Sequence, residues 1–196
     1  MSKSPDVRRL LLYVCLALLC AAAGARAEQL PVRAYTTTDG LARDFVSRIF
    51  QDSNGFIWFC TTEGLSRFDG YRFTNYGTAQ GLPSRLVYDF LETRRGVYFV
   101  STGAGLVLFD PEALTRRDAG GAHAPGRLFT PIPFPEGHGA KVATVAYEDA
   151  SGVVWCGSDV GLYRLAGGDG DWRLELAEAL TDEPELSQVQ DIWGDP

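Results

Sequence analysis

The chain has 196 residues, 45% of them apolar, so its length permits one ordinary hydrophobic core. Its formal net charge is −7, and loss of residues 1–27 would remove four basic groups and one acidic group, leaving the remainder more acidic still. An acidic surface repels phosphate, which makes nucleic acid and anionic membrane surfaces poor partners, although a domain-wide charge says nothing of a local basic pocket.

Residues 1–27 have the three parts of a secretory signal: Lys3, Arg8 and Arg9, then an apolar run over 10–23, then Ala25, Arg26 and Ala27 as a small-x-small cleavage site. The apolar run, about 14 residues long, falls short of the roughly 20 that a spanning helix needs. Cleavage after Ala27 is therefore expected, with Glu28 as the new terminus. A lipoprotein anchor fits less well, because Cys20 follows Leu19 rather than a small residue. Signal removal takes Cys15 and Cys20 with it and leaves Cys60 and Cys156 in a compartment that permits disulfides.

The next stretch, VRAYTTTDGL at 32–41, returns 41 residues later as FTNYGTAQGL at 73–82. The same offset carries Val46, Gly55, Gly64, Leu65, Phe68 and Asp69 onto Val87, Gly96, Gly105, Leu106, Phe109 and Asp110, and an offset of 97 carries Asp52, Gly55, Trp58, Gly64, Leu65 and Arg67 onto Asp149, Gly152, Trp155, Gly161, Leu162 and Arg164. A period near 40 marks a repeat architecture. Within the unit VSRIFQDSNGFIWFCTTEGLSRFD at 46–69, short apolar runs without helical spacing predict strands, and DSNG at 52–55 suits a hairpin turn. GLSRF at 64–68 and FTNY at 73–76 supply a third and a fourth strand. Four antiparallel strands per repeat describe a propeller blade, and the unbroken run Phe56, Ile57, Trp58 and Phe59 fits a blade buried on both faces.

The predicted organisation is all-β: a signal over 1–27, then part of a β-propeller over 28–196, with repeats near 46–76, 87–132 and 143–176 and a partial one at 189–196. Residues 32–35 are expected to form an outer strand without a blade of their own. An insertion at 111–127, rich in glycine and alanine at its centre, reads as a loop between third and fourth strands. Residues 172–176 read as an outer strand and 178–180 as the start of a short helix. Three blades and a fraction cannot close a ring of roughly 4 to 8, so the chain is expected to be the N-terminal piece of a longer protein.

The pattern V-x-x-I/F-x-x-D-x-x-G-x-x-W-x-x-T-x-x-G-L-x-R-F-D, preceded by YTTTDGL, resembles the two-component regulator propeller family, the periplasmic sensor half of bacterial histidine kinases and hybrid sensors. The first copy matches almost throughout. The second departs at Thr93 and Phe99, where Asp52 and Trp58 stand, and the third has Gly157 and Ser158 in place of Cys60 and Thr61. The resemblance implies a ring of about seven blades or two such rings, a linking β-sandwich, one membrane span beyond this sequence, and a cytoplasmic kinase or cyclase. It further implies a dimer and a small-molecule or oligosaccharide ligand of carbohydrate type.

Catalysis is poorly provided for: His123 and His138 fall in loops, no nucleophile elbow is present, and Gly103-Ala104-Gly105 lacks the third glycine of a phosphate-binding fingerprint. No cofactor and no metal are expected, since DSNG lacks the downstream glutamate of a calcium loop and no Cys/His spacing suits zinc. Cys60 and Cys156, a whole blade apart, are expected to stay unpaired. Thr61 and Thr102 recur before Gly-Leu and read as part of the blade.

Binding is better supported. The loops from fourth to first strand and from second to third open on one face of a propeller. Here they collect Arg43, Asp44, Thr62, Glu63, Arg85 and Asp159, which differ between copies where the skeleton does not. These six are the candidate ligand-binding residues. The leading functional expectation is a periplasmic, non-enzymatic sensor input; the alternatives are a secreted propeller enzyme and a lectin-like scaffold acting on polysaccharide. Trp58 and Trp155, at the same repeat position, are expected to be structural wedges rather than sugar platforms.

Overall fold

The computed structural model describes residues 11, 13–14, 32–113, 127–137, 139–168, 171–179 and 189–192. The signal cleavage site, the centre of the 111–127 insertion, both histidines and residues 193–196 lie outside that set. The chain divides into two compact units, 1–34 and 35–196. Of the first, residues 11, 13 and 14 are helical and exposed, and 32–34 have no regular structure.

The second unit holds three antiparallel four-stranded sheets, each in plain sequential order. The first comprises β1 (Val46–Gln51), β2 (Ile57–Thr61), β3 (Gly64–Phe68) and β4 (Phe73–Tyr76). The second comprises β5 (Val87–Glu92), β6 (Tyr98–Thr102), β7 (Gly105–Phe109) and β8 (Phe129–Ile132). The third comprises β9 (Ala143–Glu148), β10 (Val154–Ser158), β11 (Gly161–Ala166) and β12 (Arg173–Ala179). First strands adjoin one another, β1 against β5 and β5 against β9, as the inner strands of successive blades do.

Three sequence expectations are corrected. Residues 32–36 pair with no strand; what recurs at the offset of 41 is a 3-10 turn, Thr37–Asp39 and Thr78–Gln80, each closed by a left-handed glycine, Gly40 and Gly81. Residues 178–179 belong to β12 and not to a helix, because Leu162 and Gly161 of β11 pair with them. Residues 189–192 form no strand, yet Val189 is already docked: its amide donates to the Ser158 carbonyl and its carbonyl accepts from the Thr144 hydroxyl.

The middle sheet shows why an unbroken apolar run suits a blade. Side chains alternate across a strand, so Tyr98 and Val100 of β6 join Trp58, Cys60, Leu65, Phe90 and Phe109 in the core between the first two blades. Phe99, one step along, turns the other way and joins Leu106, Ala146, Cys156 and Tyr163 in the core between the second and third. Trp58 is the wedge of the first of these cores. Only 1% exposed, it stacks on Phe90 of the next blade at 4.7 Å and meets Phe109 edge-on at 5.4 Å.

A bracket of hydrogen bonds holds Trp58 in place. Asp52, itself buried, accepts the Asn54 and Phe56 amides with one carboxylate oxygen and the Trp58 indole N–H with the other, at 2.9 to 3.0 Å and 2.8 Å. Arg67, opposite Trp58 in the β2–β3 register, lies over the Phe56 ring at 4.4 Å. The third blade repeats the bracket with Asp149, whose oxygens accept Ser151, Val153 and the Trp155 indole, and it places Arg164 opposite Trp155. The second blade replaces all three members together. Thr93 exchanges hydrogen bonds with Val97, Phe99 stands where the tryptophan was, and Leu108 lies opposite it.

Polar links join neighbouring blades at both ends. The extra residue of a bulge in each first strand is Ser47, Tyr88 or Thr144, and the two hydroxyls reach the carbonyls of Val87 and Val189 in the following repeat. At the opposite end the Ser53 amide donates to Glu92 at 2.7 Å, and the Arg94 amide donates to Glu148 at 2.7 Å. Between the second and third blades, where Tyr88 supplies no such link, Asp89 takes over. Its buried carboxylate accepts the Ala146 amide across the junction at 3.0 Å, its own neighbour Phe90 at 2.8 Å, and the Arg48 guanidinium at 2.9 Å. Cys60 and Cys156 are free and buried, and burial, followed by the nearby Asp89 charge, pushes both thiols upward.

Truncation of Trp58 to alanine is expected to cost about 3 to 5 kcal/mol, measured by denaturant unfolding of the full chain, and Trp155→Ala less, because Trp155 is only half-buried. A pH dependence follows from Asp89. Burial raises its carboxyl above the usual range, against the pull of Ala146, Arg48 and Phe90, and with Asp191 adding to the rise. The folded state then binds more protons than the unfolded one between about pH 3.9, the usual aspartate value, and the raised folded value. Stability contributed at this site falls as pH rises through that window. In unfolding curves recorded across pH, Asp89→Asn should flatten that fall.

Candidate functional site

The six sequence candidates lie on the strand-end loops of one edge, and the structure gives them different work. Glu63, in the β2–β3 turn of the first blade, and Arg85, in the loop entering the second, form an ion pair at 3.0 Å, with both side chains well exposed. They are the one pair among the six that is brought together across a blade junction. Asp44 accepts the Thr37 amide at 2.7 Å and braces the 3-10 turn before β1. Asp159 accepts the Lys141 and Val142 amides at 3.1 and 3.3 Å and braces the entry to β9. Arg43 is exposed and Thr62 half-buried.

The loop scaffold beneath these residues is repeated. The Thr61 hydroxyl donates to the Gly64 carbonyl and accepts the Glu63 amide; Thr102 does the same for Gly105 and Ala104, and Ser158 for Gly161 and Val160. A hydroxyl at this position closes the β2–β3 type of turn, which is the structural role the sequence indicated for the threonines. Gly64 adds a second constraint. With φ at 120°, it packs so closely under β4 that a side-chain carbon would lie 2.5 Å from the Tyr76 carbonyl oxygen. The turn that presents Glu63 is therefore fixed from both sides, while Glu63 itself stays free to vary.

Sequence reasoning missed the opposite end of the strands. A cleft of about 450 Å3 lies there, between the β1–β2 and β5–β6 turns, the exit of β7 and the link into β12, with Ser53, Glu92, Tyr98 and Trp172 among its walls. The signal was present, since the sequence puts Trp172 at the head of the third outer strand, but a reading of repeats discards a residue type that does not recur. Among the described residues no group of His, Cys, Asp and Glu is placed to hold a metal ion, and no helix is long and apolar enough to cross a membrane.

Comparison with known proteins places the repeat. Residues 40–63, spanning the turn before β1 to the presented Glu63, match the family model described as two component regulator propeller. Over that segment the chain is similar to the two component regulator propeller repeat. The fold is shared with the extracellular domain of a hybrid two component system from B. thetaiotaomicron, at a TM-score of 0.55 and 23% identity over 70% of this chain. The extracellular domain of a one component system from the same organism superposes with a TM-score of 0.54 at 22% identity over 70% of this chain. The chain spans only 18% of the length of either. No curated protein matches it closely enough to count as a relative.

The exposure of Glu63 and Arg85 makes their bridge worth little to folding, at most about 1 kcal/mol. Glu63→Ala and Arg85→Ala should each leave the unfolding transition of this chain within about 1 kcal/mol of the parent, as read by denaturant unfolding.

Proposed function

We propose that this chain is the ligand-binding part of a sensor that works outside the cytoplasm, in the periplasm of a bacterium, and that belongs to a signal-transduction protein such as a two-component sensor kinase. The observation that carries the reading is the two component regulator propeller match over residues 40–63, supported by a fold shared with extracellular domains of such systems and by the signal-like segment at 1–27. On this reading the chain itself is not an enzyme. The ligand is of carbohydrate type and binds on the edge that presents Arg43, Asp44, Thr62, Glu63, Arg85 and Asp159.

The Glu63–Arg85 pair suits that task because it straddles a junction. A sugar hydroxyl can donate to the carboxylate while a second accepts from the guanidinium, so one ligand engages two blades at once. Its binding energy then favours whichever arrangement of the two blades holds both groups at the right separation, and that preference is what a sensor relays. Asp44 and Asp159, already committed to backbone amides, position the loops on either side.

The test is a panel of neutral and acidic oligosaccharides added to the full chain, with the melting temperature as the readout. A ligand at 100 times its Kd should stabilise the fold by about 2.7 kcal/mol. Arg85→Ala should abolish that shift and keep the unliganded melting temperature. Release of cleaved sugar during the incubation would favour the secreted-enzyme alternative instead. A shift that survives in both Arg85→Ala and Glu63→Ala would remove the site from this edge.

A further inference from the structure

We infer that the cleft at the opposite end of the strands is a second binding site, and that it takes a small organic cation carrying an ammonium group. The inference stands on this cleft alone and does not depend on the carbohydrate reading. A volume of about 450 Å3 lies within the range of roughly 300 to 1,000 Å3 typical of small-molecule sites. The lining carries the Glu92 carboxylate, and no lysine, arginine or histidine is among the described residues that line it. Anionic ligands are thereby disfavoured.

The aromatic wall selects further. Tyr98 and Phe109 are buried in the core between the first two blades and form the floor, whereas Trp172 is half-buried and keeps accessible ring surface. Edge-on contact with Phe99 at 5.5 Å holds the Trp172 ring in place. Indole is the strongest of the side-chain rings in binding a cation over its face. In the same cleft, Glu92 is fixed by two neutral donors, the Ser53 amide at 2.7 Å and the Ser53 hydroxyl at 2.5 Å, which orient its carboxylate. Asn54 is tied to the Tyr98 hydroxyl at 3.1 Å and closes the side. A preoriented carboxylate and an indole lining one cleft, over an apolar floor, make a set of contacts that an ammonium group satisfies and a neutral hydroxylated ring satisfies only in part.

The probe is choline, compared with its uncharged tert-butyl isostere by calorimetric titration of the full chain. Choline should bind saturably and at least about tenfold more tightly than the isostere. Glu92→Gln keeps an oxygen for Ser53 and should weaken choline about tenfold without changing the isostere. Trp172→Leu keeps apolar bulk, loses the ring, and should weaken choline to a similar degree. Equal binding of choline and the isostere, absence of saturable choline binding, or choline binding unchanged in both variants would each overturn the inference. The comparison of the two ligands on the unmodified chain decides even if a variant does not fold.

Discussion

Everything in this structure depends on the middle blade having two buried faces. A four-stranded sheet that packs on one side only can stand alone with a polar back, but a blade between two neighbours has no side to leave polar. The consequence is visible in β6, where Tyr98 and Val100 serve one junction and Phe99 the other. It is visible again at Gly157, where a side-chain carbon would lie 2.7 Å from both Val145 and Val189. The third blade has given up a side chain there because the segment that follows already fills the space.

Packing of this kind sets distances between blades but not their angular register, and the polar links supply the second. Trp58 fills volume, whereas Asp52 decides where the indole points, since the same carboxylate that closes the β1–β2 turn also receives the ring N–H. Loss of the bracket in the second blade shows that its members form a unit. Thr93, Phe99 and Leu108 together make an apolar version in which no indole N–H needs an acceptor and no guanidinium needs a ring to cover. A mixed version would leave a buried polar group without a partner, at a cost of about 1 to 3 kcal/mol.

Much of this was legible in the sequence because repetition averages away ambiguity. One copy of Gly-Leu-x-Arg-Phe leaves helix and strand open, while three related copies that share Gly-Leu, each preceded by a turn that ends in glycine, do not. The recurrent Thr61 and Thr102 were likewise legible as part of the blade, though not as the hydroxyls that close its turns. What escaped was anything that depends on contact between repeats or departs from them. The Asp89 to Ala146 link joins two copies at positions with no common spacing, the orphan strand at 32–35 was inferred from an alignment whose real content is a 3-10 turn, and Trp172 is an aromatic that does not recur in kind at the head of the other outer strands. Of the six candidate residues, the alternation of loops put Glu63 and Arg85 on one edge correctly but could not say that Asp44 and Asp159 are occupied with backbone amides.

The latch from a turn amide to the next blade's glutamate, Ser53 to Glu92 and Arg94 to Glu148, places its donor in one repeat and its acceptor in the following one. The second repeat therefore carries half of two latches, its Glu92 facing backward and its Arg94 amide facing forward. A gene duplication that copies a single such repeat in tandem brings a matching donor and acceptor into register at the new seam, with no further mutation. The architecture can lengthen by whole blades because the interface is inherited along with the unit, and selection is left to work on the residues between.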